Sequence, residues 1–294
     1  MSTAMRTHPS FFGAVRGEAL KVSRQLSVWL ILAGATVMLA IITLGILSSP
    51  QVEDQLKADP VGWAYNARDI FGTLFQIGSG IFLLIIGSRL FGMEYSSGTI
   101  RIVYARGVSR LSLLLAKMLT LATIGVCLLA GYLVLAGSVI AILVHTWTGS
   151  LSDLQNLPGQ FWQDLGFWCL VQGMSMGVAI LLAAAAAGIG RSLAFSMAAS
   201  LAYFPVDNFS VILCGLGARI THQDHPWLDI SKYQLGPNLD VVLNLIEPGH
   251  HARAAFSAPL QPVDASHALA VIGVWALAFA VIAIVRAVRP DVLE

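Results

Sequence analysis

The chain has 294 residues, of which 56% are hydrophobic and 11% are charged, whereas a soluble domain usually carries about a quarter charged residues. This deficit of charge excludes an ordinary soluble domain and indicates an integral membrane protein. The formal net charge of +1 gives no overall bias that would indicate nucleic acid or an acidic substrate as a partner.

The N-terminal region predicts an interfacial helix followed by a retained membrane anchor. The apolar stretch at residues 28–48 is longer than the roughly 7 to 15 residues of a signal-peptide core. Ahead of it, basic and apolar residues take different positions at helical spacing, which predicts an amphipathic helix along the inner membrane interface. Its apolar positions are Phe11, Phe12, Val15, Ala19, Val22 and Leu26, and its basic positions are Arg16, Lys21 and Arg24.

Six apolar runs are long enough to cross a bilayer as helices, since about 20 apolar residues span the hydrocarbon layer. They cover residues 28–48, 70–91, 118–144, 165–188, 193–214 and 267–285. The fifth run is interrupted by Pro205, Asp207 and Asn208, which fits either a kinked span or a broken helix. The predicted fold is an all-α membrane protein, with residues 1–294 forming one transmembrane domain.

The distribution of Lys and Arg predicts the orientation of the spans. Twelve of the seventeen fall on one side and five on the other, and cytoplasmic segments retain positive charge. Both termini are therefore predicted to be cytoplasmic. Residues 1–27 would be cytoplasmic or interfacial, residues 28–214 would hold spans one to five, residues 215–266 would form an outer segment, and residues 267–294 would hold span six and a cytoplasmic tail.

Motifs for enzymatic or nucleotide chemistry do not occur in the sequence. No lysine continues a Gly-x-x-x-x-Gly-Lys-Ser/Thr P-loop, and neither His-Glu-x-x-His nor Gly-x-Ser-x-Gly occurs. The chain is therefore predicted not to be an enzyme, and any ATP that drives it must bind another polypeptide. His222, Asp224 and His225 have ligand types at close spacing, but they lie in a polar loop without cysteine, and no metal site is predicted.

One aspartate within the apolar runs is a candidate functional residue. An ionisable side chain at the centre of a span costs about 2.5–3.5 kcal/mol, so Asp207 should face protein or water. Tyr203, Asp207 and Asn208 could line part of a substrate path. Alternatively, Asp207 is hydrated near the outer interface, and the sequence leaves both interpretations open.

The loop between the second and third spans has the densest polar pattern. Ser97 and Gly98 predict a turn, Thr99 or a neighbouring serine can cap a short helix, and Ser109 can cap the next span. The apolar face of that short helix would be formed by Ile100, Val103 and Tyr104. Arginines in the loop are available for lipid headgroups or for carboxylates of a docked partner.

This loop resembles that of the permeases of type-2 ABC exporters, in which a glutamate, a Gly-Thr pair and a Ser-Arg pair followed by lysine recur. The matching residues are Glu94, Gly98, Thr99, Ser109, Arg110 and Lys117. The family often has proline where this chain has Gly107.

The resemblance implies a permease that moves an unidentified substrate by alternating access and resides in a bacterial or archaeal plasma membrane. Its expected partners are a cytoplasmic ABC ATPase, a second permease copy or a related permease, and membrane lipids, with no nucleic acid. ATP and Mg²⁺ would bind the ATPase, and no cofactor is expected in this chain. The loop would contain a coupling helix, and residues 215–266 would form short re-entrant outer helices. The implied ATPase-coupling residues are Glu94, Gly98, Thr99, Arg101, Arg106 and Arg110.

Two other functions remain open at this stage. One is a non-transporting sensor or immunity subunit of an ABC complex, which would bind the ATPase without moving cargo. The other is a membrane-embedded, metal-dependent enzyme that uses the outer histidines and aspartates. It would be active without an ATPase and would retain metal on purification.

Overall fold

The computed structural model describes residues 10–99, 107–247 and 257–289. Within these residues the chain forms eleven α-helices and no strand. The helices are α1 (Phe11–Ser23), α2 (Leu26–Leu47), α3 (Pro50–Ala58), α4 (Pro60–Ser96), α5 (Arg110–Thr148), α6 (Ser152–Gln155), α7 (Gly159–Gly190), α8 (Leu193–Thr221), α9 (Trp227–Ser231), α10 (Leu235–Ile246) and α11 (Ala265–Val288).

Six of these helices are long and apolar enough to cross a membrane, namely α2, α4, α5, α7, α8 and α11. The mean hydropathy of their most apolar stretches ranges from 1.4 in α8 to 2.8 in α11. The prediction of an all-α membrane protein with six spans is confirmed.

Several spans extend beyond the apolar runs because their ends are capped by polar residues. Helix α4 begins at Pro60, where Asp59 accepts a hydrogen bond from the backbone N–H of Gly62 at 2.9 Å. Helix α5 begins at Arg110, and Ser109 accepts from the N–H of Ser112, as the sequence predicted. Such ends carry too much polarity to be detected by hydropathy.

The fifth span is one continuous helix, so a break at Pro205 is excluded. Helix α8 starts after the Ser192 cap and runs through Pro205 to Thr221, seven residues beyond the apolar run at residues 193–214. Beside the proline, the Asn208 side-chain amide donates to the carbonyl of Phe204 at 3.0 Å. This bond supplies a side-chain donor at a point where proline disturbs the backbone ladder.

The core is centred on α7, which packs against α4, α11, α8 and α5. The small residues Ala183–Ala187 of α7 are all buried, and small side chains allow close helix approach where lipid supplies no hydrophobic force for packing. Helix α2 is the opposite case, because none of the residues in its most apolar stretch is buried. It therefore lies on the flank of the bundle.

Alternation of the spans gives the bundle two distinct ends. The basic end, as we term it, holds α1, the C-terminus of α4, the N-terminus of α5, the turn between α7 and α8, and the C-terminus of α11. The far end holds α3, α6, α9 and α10. Helix α10 lies in the segment predicted to be outside, and Pro237 occupies its first turn, where proline is tolerated.

Candidate functional site

Four charged side chains meet at the basic end, and we term them the basic-end network. Lys21 of α1 lies 2.6 Å from Glu18 of the same helix and 2.8 Å from Glu94 of α4. Lys117 of α5 lies 2.8 Å from Glu94 and 3.8 Å from Glu18. Two cations and two anions thus join α1 to two membrane spans.

Local helix geometry brings the α1 residues to this network. Glu18 and Lys21 are three positions apart, so their side chains lie on one face of α1. Val22 lies one residue further on and is buried in the core. The carbonyl of Val15 accepts from the hydroxyl of Thr120 on α5 at 3.4 Å. Polar and apolar contacts together attach α1 to the bundle.

The network is buried on one side and open to solvent on the other. Lys117 and Glu18 are 3% and 4% exposed as residues, whereas the Lys21 side chain is about half exposed. Burial disfavours the charged Lys21 ammonium, but its hydrogen bonds to Glu18 and Glu94 outweigh burial and raise the pKa of Lys21. Lys21 is therefore charged at neutral pH.

Two glycines in the left-handed backbone region flank the loop that leaves the network. Gly98 has φ +68° and Gly107 has φ +83°. Proline is restricted to φ of about −65°, so the turn that this chain forms at Gly107 could not accommodate the proline that is frequent there in the family. Between Ser97 and Thr99 the two hydroxyls are hydrogen-bonded at 2.8 Å.

The ends of the loop are tied to other spans. Ser96 at the end of α4 accepts from the N–H of Leu193, the first residue of α8, at 2.9 Å. Arg110 at the start of α5 donates to the carbonyl of Arg289 at 2.7 Å, just past α11. Displacement of this loop would therefore reach α8 and α11 as well as α4 and α5.

Apart from Arg110, which donates to the Arg289 carbonyl, the residues implied for ATPase coupling fall into three groups. Glu94 is 8% exposed and contacts the basic-end network rather than an open surface. Gly98 and Thr99 are exposed in the turn. Arg101 and Arg106, together with the face formed by Ile100, Val103 and Tyr104, lie outside the described residues.

The sequence did not indicate which residues of α1 contact the spans that flank the loop. Glu18 and Lys21 pair with residues far along the chain, and the Lys21–Glu94 pair spans 73 positions. The one available signal was a glutamate and a lysine three residues apart on a helix otherwise predicted to face lipid. In the sequence, Lys117 is distinguished only as the last residue of the family motif.

The three residues proposed for a substrate path occupy α8 but have different surroundings. Tyr203 packs against Trp275 and Phe279 of α11. Asp207 accepts a hydrogen bond from the N–H of Gly236 at 2.5 Å, in the first turn of α10, and Asn208 accepts from the hydroxyl of Ser257. These contacts link α8 to the far-end segment, and a role in a substrate path stays a prediction.

A second ionic cluster, the far-end network, surrounds Arg68 of α4. The Arg68 guanidinium pairs with Glu247, just past α10, and with Asp69 at 2.8 Å. It also lies 5.1 Å from the ring centroid of Tyr65, whose hydroxyl donates to Asp164 of α7 at 2.6 Å. The Arg68 and Glu247 side chains are 4% and 0% exposed, so this network is enclosed.

The histidines suggested as metal ligands do not form a cluster in the described part of the chain. His225 pairs with Asp229, which also lies 3.0 Å from Lys232. No group of three or more His, Cys, Asp or Glu side chains within the described ranges is arranged to hold a metal ion. His250 and His251 lie outside those ranges.

Comparison with known families agrees with this architecture. A sequence model of ABC-2 family transporter proteins matches residues 14–207, a region that begins within α1 and includes the loop and the basic-end network. No curated protein sequence gives a match. The chain belongs to the ABC-2 transporter family.

Membership of this family defines the class of protein. The chain is a permease subunit of an ABC transporter and a multi-pass protein of the cell membrane. The resemblance noted in the loop between the second and third spans is thereby confirmed.

Proposed function

We propose that this permease is the membrane-spanning subunit of an ATP-driven exporter and that a separate cytoplasmic ATPase docks at the basic end. ATP and Mg²⁺ bind that ATPase. Closure of the ATPase pushes residues 94–110 and the N-terminal helix and shifts the spans between inward-open and outward-open states. A second permease copy, or a related permease, completes the membrane part.

The observation that carries this proposal is the position of the basic-end network. Glu94 lies in the last turn of α4 and Lys117 in the second turn after the start of α5, so the network sits where both spans join the loop. Because Glu18 and Lys21 share these partners, α1 moves with the two spans. A force on the loop is therefore passed to three helices at once.

The distribution of charge supports docking at this end. Nine of the thirteen Lys and Arg residues in the described ranges belong to it, which is the pattern of a cytoplasmic face. Arg101 and Arg106 offer guanidinium groups to carboxylates of the ATPase. Arg110 couples the loop to the end of α11 through its bond to the Arg289 carbonyl, and Gly98 and Thr99 shape the turn at the start of the loop. Glu94 acts from within, as a positioning residue.

Copurification from the native membrane tests the proposal. Wild type is compared with a docking variant, Arg101→Ala with Arg106→Ala, and with a network variant, Glu94→Gln. We expect a P-loop ATPase to copurify with wild type and to be lost from the docking variant. The Glu94→Gln variant should retain the ATPase, but cargo should no longer stimulate ATP hydrolysis.

The matched control removes two exposed cations from the far end, Lys57→Ala with Arg219→Ala. It should copurify the ATPase as wild type does. If no ATPase appears under mild extraction, the proposal is wrong. If the ATPase binds but reconstituted vesicles show no ATP-dependent movement of cargo, the chain is a sensor or immunity subunit. If the purified chain retains metal and catalyses a reaction without any ATPase, it is a membrane-embedded, metal-dependent enzyme.

A further inference from the structure

Arg89 is a cation without a partner on the second span. It lies in α4, seven residues before that helix ends at Ser96, and it is partly buried. Its Nε atom is buried and has no hydrogen-bond partner among the described residues. No ion pair found in those ranges includes Arg89. Because arginine keeps its charge in proteins, Arg89 carries an uncompensated positive charge.

The position of Arg89 along α4 places it at the inner edge of the hydrocarbon layer. Residues 70–88 carry no charged side chain, and at 1.5 Å per residue they span about 28 Å. The hydrocarbon layer of a bilayer is about 30 Å thick, so Asp69 and Arg89 mark its two edges. Arg89 marks the edge at the basic end, where the phosphate groups of the inner leaflet begin.

An exposed tryptophan marks the same level independently. Trp29 lies in the first turn of α2 and is 58% exposed, and tryptophan is enriched at membrane–water interfaces. Lys21, five residues before the start of α2, contacts Glu94 in the last turn of α4 at 2.8 Å. The start of α2 and the end of α4 therefore lie together at the inner interface.

Arg89 shares one face of α4 with apolar side chains that the other described helices leave open. Ile81, Ile85, Arg89 and Met93 follow one another at intervals of four residues, which places them on one face of the helix. Ile81 and Met93 are 46% and 41% exposed. Within the described part of the chain, lipid can therefore reach this face.

No protein carboxylate at this end is free to pair with Arg89 in the described ranges. The acidic residues there are Glu18 and Glu94, and both pair with Lys21 and Lys117. A second copy of the chain would bring the same two paired carboxylates. The ATPase would dock below the end of α4, and the seven residues from Arg89 to that end span about 10 Å. These distances and charges leave the membrane itself as the source of an anion.

We propose that Arg89 binds the phosphate group of an anionic phospholipid from the inner leaflet. A guanidinium can donate two parallel hydrogen bonds to phosphate oxygens, and the Nε–H group would gain the acceptor that it lacks. Ile85 and Ile81 lie one and two turns nearer the membrane centre, where they would contact an acyl chain. This inference does not rest on the cargo or on the direction of transport.

The charge of the surrounding surface favours an anionic headgroup over a zwitterionic one. The described part of the basic end holds nine Lys and Arg residues but two acidic residues. A phosphatidylcholine headgroup carries its own cation beside the phosphate, which this surface would repel. A phosphatidylglycerol headgroup has a net negative charge and meets no such repulsion.

Equilibrium binding of radiolabelled phosphatidylglycerol to the full chain, stripped of lipid in an uncharged detergent, tests the site. We expect a saturable component at low ionic strength. Arg89→Gln should weaken this binding at least about tenfold, since it removes a charge-assisted pair. Arg286→Gln is the matched control, because it removes an equal charge from an exposed position at the same end, and it should bind as wild type does.

Thermal unfolding separates loss of the site from loss of the fold. Arg89→Gln removes a buried donor without a partner, so without lipid it should unfold at the same temperature as wild type or a higher one. Phosphatidylglycerol should raise the unfolding temperature of wild type and of Arg286→Gln, but not that of Arg89→Gln. Arg89→Lys keeps the charge but loses the planar pair of donors, and it should bind with intermediate affinity.

Four outcomes would overturn the inference. Wild-type binding by Arg89→Gln would show that the lipid binds elsewhere, and equal affinity for phosphatidylcholine would show that net charge does not select the lipid. Displacement of the lipid by excess inorganic phosphate would show that the ligand is a free phosphate. If Arg89→Gln dissociates a permease dimer and leaves lipid binding unchanged, Arg89 belongs to a contact between two copies.

The lipid assay is independent of the proposed transporter function because it needs no ATPase. If an ATPase copurifies with the chain but phosphatidylglycerol does not bind at Arg89, the lipid site is wrong and the transporter function stands.

Discussion

The basic-end and far-end networks are both buried clusters of charge, yet they differ in balance and in access to solvent. The basic-end network pairs two cations with two anions, and one cation, Lys21, has a side chain that is half exposed. The far-end network shares one guanidinium between Glu247 and Asp69 beneath the Tyr65 ring. In it, the Arg68 and Glu247 side chains are almost fully enclosed.

This difference shows which end can change its contacts at low cost. A charge with access to water can exchange a protein partner for solvent, whereas a fully buried charge that loses its partner pays the desolvation penalty. The basic end is therefore suited to rearrangement when a partner pushes on it. The far end is suited to holding α4, α7 and the end of α10 together.

The largest expected effect is the loss of the buried pair at the far end. Glu247→Ala leaves the Arg68 guanidinium buried with Asp69 as its remaining carboxylate, and removing one partner of a buried pair typically costs several kcal/mol. We expect a loss of about 3 kcal/mol in the free energy of unfolding, measured in mixed micelles.

Its control is Glu53→Ala on α3, which removes one partner of the exposed pair with Lys57. That variant should be as stable as wild type, because exposed pairs contribute little. If both variants lose the same free energy of unfolding, the far-end network is not enclosed.

A smaller loss is expected when the buried cation of the basic end is removed. Lys117→Met leaves two largely buried carboxylates whose remaining cationic partner is the half-exposed Lys21, so we expect a loss of about 2 kcal/mol in the free energy of unfolding. The variant should also lose cargo-stimulated ATP hydrolysis while retaining the bound ATPase. Lys57→Met, an exposed cation at the far end, is the matched control. If Lys117→Met lowers the free energy of unfolding more than Glu247→Ala does, the basic end is the more costly of the two networks to disrupt, and the comparison above is wrong.

The contact between α8 and α10 is expected to contribute less to stability than either charged network. Asp207→Asn removes the negative charge that accepts from the first turn of α10, an interaction with a helix N-terminus worth about 1 kcal/mol. Amides in the first turn of α10 should exchange with solvent about fivefold faster. Hydrogen exchange measures this change, and Asp224→Asn, in an exposed loop, should leave the rates unaltered.

The smallest expected effect concerns Lys21, because solvent screens its half-exposed charge. Lys21→Gln should cost less than about 1 kcal/mol at pH 7.5. The pKa of Lys21 is raised above its usual value of 10.5, so its stabilising contribution is complete below that pH and is lost as the pH rises through the raised pKa. The difference between wild type and variant should therefore disappear in strong alkali, and a constant difference would exclude ionic attachment of α1.

The six spans were predictable because hydropathy reports the apolar centre of each helix. Their ends were not, because residues such as Arg68 and Asp69 of α4 are satisfied by each other and by Glu247, far away in sequence. The same limit applies to Pro205, which the sequence marks as an interruption while the helix continues through it.

The candidate site was predictable only in part. Glu94 and Lys117 were identified because they belong to a local motif in one loop. Glu18 and Lys21 joined them only in three dimensions, since no local pattern specifies which distant charge a lysine will meet. Because a charge within a membrane span is costly, the sequence indicated that Asp207 contacts protein or water. The structure shows that its partner is the backbone of α10.

The attachment of α1 also has a consequence for the order of assembly during synthesis. Helix α1 leaves the ribosome before its partners, because Glu94 follows Lys21 by 73 positions and the Val15–Thr120 contact spans 105. Lys21 can therefore pair with Glu94 only after the second span has been inserted, and α1 gains Lys117 and Thr120 only with the third. Helix α1 thus gains its last contacts in the network only when half of the spans have been made.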